Sequence, residues 1–386
     1  MMKNSLPSIC FCLLLFWSAS LFGQFPPNAT EYTVEVHSEP SPGYIFITPR
    51  PNLPTFLLPS TLQLLDSAGN LVFYAPITDD EEPPYSTVMP TDFKPIGGGR
   101  MAFFRPGDGG GKYWILDSAF TVIDSVWCNG FAITDDHDFM VDEDGNYTLI
   151  CDSILIGSLS TLTTNGGVQG APSGQILQQI VQKQDPDRNV LWNWFSLDHQ
   201  PLENSDTIFF SSPSWLDHTH MNSILEDETG AIVTSSRNLN EITRFDPITG
   251  NILWRFGGKS NDFTLIGDTE FISAQHDANF TSEGNLYLFD NGSAGAHNIA
   301  RYVEYELDTV NWTATLVREH RHPNNLRSHF MGNAIHMDDD HVILTWGGAF
   351  PQDSTVDVVE YLPSGEAVLE LNLRADFLTY RVHKTP

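Results

Sequence analysis

The chain has 386 residues, of which 41% are hydrophobic and 18% charged, with 25 Phe, 11 Tyr and 9 Trp and a formal charge of −30. This length allows one large domain or two ordinary ones, and the composition suits an all-β protein with many turns and a sizeable core. The charge excludes nucleic acid and anionic membrane surfaces as partners, so any bound anion must be held by a local cationic cluster working against the global field.

In chain order, the first element is an export signal. Lys3 supplies a short positive region, Ile9 to Trp17 forms an apolar run too short to span a bilayer, and small residues from Ser18 to Gly23 precede a cleavage point at Gln24. Residues 1–23 therefore read as a signal peptide and 24–386 as a single soluble domain, periplasmic or secreted, with no membrane association once the signal is removed. Cys10 and Cys12 leave with the signal. Cys128 and Cys151 remain as an even pair in an oxidising compartment, a candidate disulfide.

Two patterns then alternate through the chain. One is a hairpin, often ending in Trp: Leu62 to Tyr74, Trp114 to Trp127, Ile180 to Trp194, Glu241 to Phe256, Val303 to Val317 and Val358 to Leu371. The other is a Gly or Asp turn followed by a short apolar strand: Ser41 to Thr48, Gly97 to Phe104, Glu143 to Cys151, Glu228 to Ser236, Ser282 to Asp290 and Asp339 to Trp346. Two such units make four strands, which is one propeller blade. Two β-sandwiches would also use many even strands, but strict alternation of two repeat types favours an all-β, six-bladed β-propeller with four-stranded antiparallel blades. Long unpatterned stretches (Thr78 to Lys94, Ser160 to Gly174, Glu203 to Pro213) read as loops over one face, where propellers build sites.

Polar residues with chemical capacity concentrate after residue 215. Alternation from Asp217 puts His218, His220 and Asn222 on one face of a strand entering the bore. Arg237 ends the strand begun at Ala231. His276 and Asp277 follow Phe271 and Ile272, Asn291 follows Asp290, and Arg301 opens the next hairpin; His329 and Asn333 come later. An HxH pair with Asp217 and Asp277 nearby could also bind zinc or copper, but no tight ligand motif such as HExxH is present and no metal is assigned. Asp142 to Asn146 imitates the start of a calcium loop and reads as a hairpin turn. His137, just before it, reads as a structural histidine able to point into the bore.

These segments resemble the arylsulfotransferase family. The resemblance is carried by DHTHMNS (Asp217 to Ser223), SSRN (Ser235 to Asn238), GNILWRFGGKSNDF (Gly250 to Phe263), AQHDANF (Ala274 to Phe280), LFDNG (Leu288 to Gly292), ARYVEYELD (Ala300 to Asp308) and TWGG (Thr345 to Gly348), with HDFMVDEDGNYTLICD (His137 to Asp152) upstream. It implies a six-bladed propeller, in agreement with the repeat count, and an enzyme that moves a sulfuryl group from an aryl sulfate to a phenol with no cofactor. Under it His220 and His276 match sulfate-binding histidines, and Arg301 or Arg237 supplies permanent positive charge. His218, Asn222, Asn291 and Asn333 line the substrate, and Trp215, Phe271 and Phe350 stack on the aryl group. Two departures stand out. Gly347-Gly348 is followed by Ala349, Phe350 and Pro351 where better-characterised members have a covalent histidine, so either another histidine, His329 first, is the nucleophile or transfer is direct. The arginine expected soon after FDNG is also missing, leaving His297 and Arg301. Two other classes of function remain open on the same residues: a non-catalytic propeller that binds a ligand or protein, and a metal- or quinone-dependent oxidoreductase.

Overall fold

Turn chemistry folds each hairpin locally. Asp66, Asp117, Asp142, Asp185 and Asp227 each open a turn and accept a backbone N–H from Asn70 (2.8 Å), Thr121 (2.9 Å), Asn146 (2.8 Å), Asn189 (2.8 Å) and Thr229 (2.8 Å) respectively. A carboxylate that satisfies turn amides stabilises the reversal where it occurs. Part of the chain's acidity is therefore structural.

The computed structural model describes residues 25–52, 58–78, 89–107, 110–131, 133–293, 298–348 and 356–385. From the innermost strand outward, blade 1 is Val382–Thr385, Tyr44–Ile47, Ser60–Leu65 and Leu71–Ile77. Blade 2 is Thr91–Pro95, Met101–Arg105, Lys112–Leu116 and Val122–Val126. Blade 3 is Ile133–Val141, Tyr147–Gly157, Gly174–Gln184 and Val190–Phe195, with Trp215–Asp217 added in parallel to the third strand. Blade 4 is Met221–Glu226, Ile232–Ser236, Glu241–Phe245 and Ile252–Gly257. Blade 5 is His276–Phe280, Leu286–Asp290, Arg301–Asp308 and Thr313–Arg321, and blade 6 is Asn333–His336, Val342–Thr345, Val358–Tyr361 and Ala367–Leu373. The innermost strands touch in cyclic order from blade 1 through blade 6 and back to blade 1, which closes a six-bladed β-propeller.

The two ends of the chain make the closure, and the repeat pattern does not reveal it. Val382–Thr385 is the innermost strand of blade 1, with His383 opposite Phe46. Tyr32–Val36 adds a fifth strand outside blade 6, with Val34 opposite Leu371. Strands from the two ends of the chain thus complete the first and last blades and hold the ring closed.

Apolar clusters fill the wedges between blades. Tyr113, Phe139, Leu149 and Ile180 pack between blades 2 and 3, and Ile242, Phe256, Leu288 and Tyr305 between blades 4 and 5. Phe289, Tyr302, Leu344 and Trp346 do the same between blades 5 and 6. Burying each such side chain contributes about 1.5–3 kcal/mol. Cys128 and Cys151 form a disulfide within the first of these clusters, with Cα atoms 5.8 Å apart.

Strict alternation fails at the bore. The innermost strands of blades 2 to 5 carry irregularities between Thr91 and Lys94, Thr134 and Phe139, Met221 and Ser223, and His276 and Asn279. A bulge breaks the period of two and re-aims a side chain. Here Asp92, Asp138 and Asp277 meet on Arg381 at 2.7, 2.7 and 3.4 Å, while Lys94 binds Asp92 at 2.7 Å. Burial alone would lower the Arg381 pKa, but Asp138 and Asp92 hold it well above its ordinary value. Because Arg381 precedes Val382, this ionic floor also anchors the C-terminal strand, helped by Asn333, whose Nδ2 donates to the Val382 carbonyl at 2.7 Å.

Candidate active site at the mouth of the bore

The innermost strands begin at one end of the bore, and the second strands of the blades end there. Their termini bring side chains from several blades to one mouth. His137 sits in the blade 3 bulge, and His220 and His276 stand at the starts of the inner strands of blades 4 and 5. Tyr380 comes from the segment ahead of the C-terminal strand, and Arg50 and Arg237 lie just past the second strands of blades 1 and 4.

Two histidines face each other. The rings of His137 and His220 are 4.8 Å apart at 72°, and Tyr380 lies 5.6 Å from His137. Each imidazole is held from behind by an aspartate: His137 Nδ1 by Asp135 at 2.8 Å and His220 Nδ1 by Asp217 at 2.5 Å. Both Nε2 atoms are without a hydrogen-bond partner among the described residues. Burial would lower the His137 pKa, but Asp135 holds it at about 9. Asp152, on the neighbouring strand, is pushed up to about 8 by burial and then by Asp135.

Two arginines share the mouth with this pair. Arg237 bonds Asn238 Oδ1 at 3.0 Å and stacks over Phe209 at 4.3 Å, and its Nε is buried with no partner. Among the described residues Arg50 hydrogen-bonds the Met331 sulfur, at 3.4 Å. Neither guanidinium is ion-paired to a carboxylate among the described residues. Burial lowers both pKa values, opposed by Asp217 at Arg237 and by Asp136 at Arg50. Guanidiniums in this position attract an anion, and the planar fork of arginine suits a tetrahedral oxyanion.

The residues expected from sequence divide into three groups. At the mouth are His220, Arg237, His276 and Asn291. His276 is 2% exposed, with Nδ1 on Asn291 Oδ1 at 2.8 Å and Nε2 accepting the Met331 N–H at 3.2 Å. Burial, and then the charge of Arg237, keep it far below its ordinary pKa, so it is a neutral ring that fixes the mouth.

The second group is used for structure. His218 does not share a face with His220. The strand starts only at Met221, and His220 has φ of 51°, so alternation is broken between them. His218 is instead buried under the 196–205 segment, bonded to Ser205 Oγ and the Gln200 carbonyl, both at 2.8 Å, and burial lowers its pKa to about 4. Arg301 does not supply free charge either. It is fully buried, with Asp290 at 2.9 Å and Asp268 at 3.0 Å. Asn222 donates to the Gln275 carbonyl at 2.7 Å and joins blades 4 and 5, and Asn333 holds Val382.

The third group consists of partly or fully exposed side chains and of residues outside the described ones. His329 is partly exposed on the loop before blade 6, with its N–H on the Gly348 carbonyl at 3.2 Å. Trp215 and Phe271 are exposed. His297, Ala349, Phe350 and Pro351 lie outside the described residues.

A family model described as arylsulfotransferase (ASST) matches residues 107–372. The chain belongs to the arylsulfotransferase family. No curated protein matches it significantly in sequence. In fold it is similar to a protein of unknown function from Bacteroides caccae, over 89% of this chain and 99% of that one, with a TM-score of 0.54 at 10% identity. A hypothetical selenium-binding protein from Sulfolobus tokodaii is also similar, over 89% of this chain and 94% of that one, with a TM-score of 0.46 at 11% identity. So is virginiamycin B lyase from Staphylococcus aureus, over 89% and 100%, with a TM-score of 0.42 at 10% identity. At such identities the likeness concerns the fold alone.

In this arylsulfotransferase-family chain the mouth also uses Arg50, Tyr380 and Phe209, which sequence reasoning did not single out, and His137, which it read as structural. The HD pairs at His137-Asp138 and His276-Asp277 carried the missing signal, since each places a histidine at the mouth and an aspartate on Arg381. Nothing local marked Arg50 or Tyr380, which reach the mouth only through ring closure. Among the described residues no helix is long and apolar enough to cross a membrane.

Proposed function

We propose that this protein transfers a sulfuryl group from an aryl sulfate to a phenolic acceptor at the mouth of the bore. The observation that supports the reading is that Arg50 and Arg237 form no ion pair with a carboxylate among the described residues, at the same mouth as the facing rings of His137 and His220. In a chain of net charge −30, such a cluster is a local exception to the global field. The arginines hold the sulfate oxygens. The imidazoles handle protons: one Nε2–H donates to the oxygen of the departing phenol as its bond to sulfur breaks, and the other takes the proton of the phenol whose oxygen forms the new bond. Phe209, under Arg237, offers an aromatic wall for the aryl group.

We also propose that the protein is exported. The N-terminal pattern of Lys3 and Ile9 to Trp17 supports this, as does the Cys128–Cys151 disulfide, a bond that persists in oxidising compartments.

The test is release of nitrophenol from p-nitrophenyl sulfate with and without a panel of phenols. Release that depends on the phenol, with formation of the sulfated phenol, is expected. Absence of phenol-dependent release across the panel would leave a binding propeller without transferase chemistry.

A further inference from the structure

One buried glutamine lies behind the mouth and bonds to the supports of three of its groups. Gln179 sits in the third strand of blade 3, between Leu177, which pairs with Asp217 of the added parallel strand, and Ile180, which pairs with Phe195 of the fourth. Beyond Asp217 the chain leaves this sheet and turns into blade 4. The Gln179 side chain is 1% exposed and faces that join. Its Nε2 donates to Asp135 Oδ2 at 3.2 Å, and the other oxygen of Asp135 holds both the backbone N–H and Nδ1 of His137, each at 2.8 Å. Its Oε1 accepts from Thr219 Oγ1 at 2.8 Å and from the Met221 N–H. An ionised carboxylate can only accept and a backbone N–H can only donate, so an amide is the group that answers both sides.

The two bonds to Oε1 bracket His220. Thr219 and Met221 lie on either side of it, and His220 has φ of 51°, a left-handed backbone that a non-glycine residue keeps only where its surroundings impose it. The same short segment positions an arginine: the Thr219 and His220 carbonyls accept the N–H groups of Asn238 and Arg237, both at 3.0 Å. We propose that Gln179 is a positioning residue that sets His137, His220 and Arg237 in one geometry. It acts through Asp135 on blade 3 and through residues 219–221 at the start of blade 4, and touches no reacting atom itself. A pair of proton-handling rings must stand in register with the anion they serve, and a displacement of about 1 Å is enough to cost about 10²-fold in rate.

For its effect on turnover the assignment rests on the transferase reading, whereas its effect on the rings does not. The direct probe is therefore ring-nitrogen NMR of the intact, ligand-free protein carrying isotope-labelled histidine, with the signals assigned through His137→Gln and His220→Gln. Gln179→Met should move the signals of both rings. Gln179→Glu keeps an acceptor for Thr219 and Met221 but loses the donor to Asp135, so it should move His137 more than His220; Thr219→Val should do the reverse. Gln182→Met controls for the loss of a buried amide, because Gln182 lies on the same strand, fully buried, and donates to the Asn129 carbonyl and Asn193 Oδ1, both at 2.9 Å, away from the mouth. It should leave both rings unmoved. With p-nitrophenyl sulfate and a phenol, kcat should fall about tenfold or more in Gln179→Met. Unmoved ring signals in Gln179→Met, equal movement in Gln182→Met, or a kcat equal to that of an active wild type overturns the proposal. If Gln179→Met does not fold, an identical response of the two histidines to Gln179→Glu and Thr219→Val overturns it equally. Ring signals that move as expected in a protein whose wild type shows no phenol-dependent release would sink the transferase reading and leave the positioning role standing.

Discussion

His137 and His220 come from neighbouring blades and face each other with ring centroids 4.8 Å apart, each fixed through Nδ1 by an aspartate. The two dyads are built differently. Asp135 lies two residues before His137 inside a bulge, whereas Asp217 comes from the edge strand of blade 3 and reaches His220 across the join with blade 4. Replacing either imidazole by alanine should lower kcat about 10²-fold or more, the usual size of a lost proton-transfer group. Asp217→Asn should have a smaller effect and act by loosening the ring. Initial rates with p-nitrophenyl sulfate and a saturating phenol check the order of these effects.

The arginines separate by role. Arg301 is enclosed by Asp268 and Asp290, so Arg301→Met removes the guanidinium from two buried ion pairs. Breaking such a buried pair costs about 3–5 kcal/mol. Urea unfolding should show that loss, while the KM of any folded fraction stays near wild type. Arg381→Met should be at least as damaging, because it releases the C-terminal strand along with Asp92, Asp138 and Asp277.

The blades were legible in the sequence and the mouth only in part, and the division has a physical cause. Hairpins are local objects: Asp66, Asp142 or Asp185 and the alternating apolar residues beside each of them lie within a few residues of their partners. The mouth is assembled by ring closure, which brings Arg50 and Tyr380, some 330 positions apart in sequence, to the same place as His137 and His276. The period-of-two argument was sound for the outer strands and failed at His218, because His220 takes a left-handed backbone just before its strand. Arg301 drew attention as a cation, but the carboxylates that neutralise it, Asp268 and Asp290, are separated from it by 33 and 11 residues.

Acid should destabilise the fold through His320. This ring is buried against Tyr361 and Tyr302, its Nε2 has no partner, and burial, reinforced by Arg318, lowers its pKa to about 4. The unfolded chain takes up the proton near 6.5, whereas the native ring resists it down to about 4. The stability contributed by the neutral ring is therefore fully present above 6.5 and is lost as the pH falls through 4. His320→Phe should flatten that loss: between pH 7 and pH 4.5 the urea midpoint should fall less in the variant than in the wild type, and an equal fall would contradict the assignment.

Reduction of the Cys128–Cys151 disulfide opens a cross-link between residues 23 apart in sequence. The chain-entropy cost of that loop corresponds to about 3 kcal/mol. Thermal unfolding in excess dithiothreitol should give a lower Tm, and Cys128→Ser should show the same decrease without reductant.

Calorimetric binding of p-nitrophenyl sulfate to wild type, Arg50→Met and Arg237→Met, each without acceptor, tests the central claim most directly. The account predicts one site in the wild type, an affinity about tenfold or more weaker in each variant, and a decline with added salt that the variants share less. Equal affinity in all three proteins would contradict the assignment of these two guanidiniums as the sulfate-holding groups.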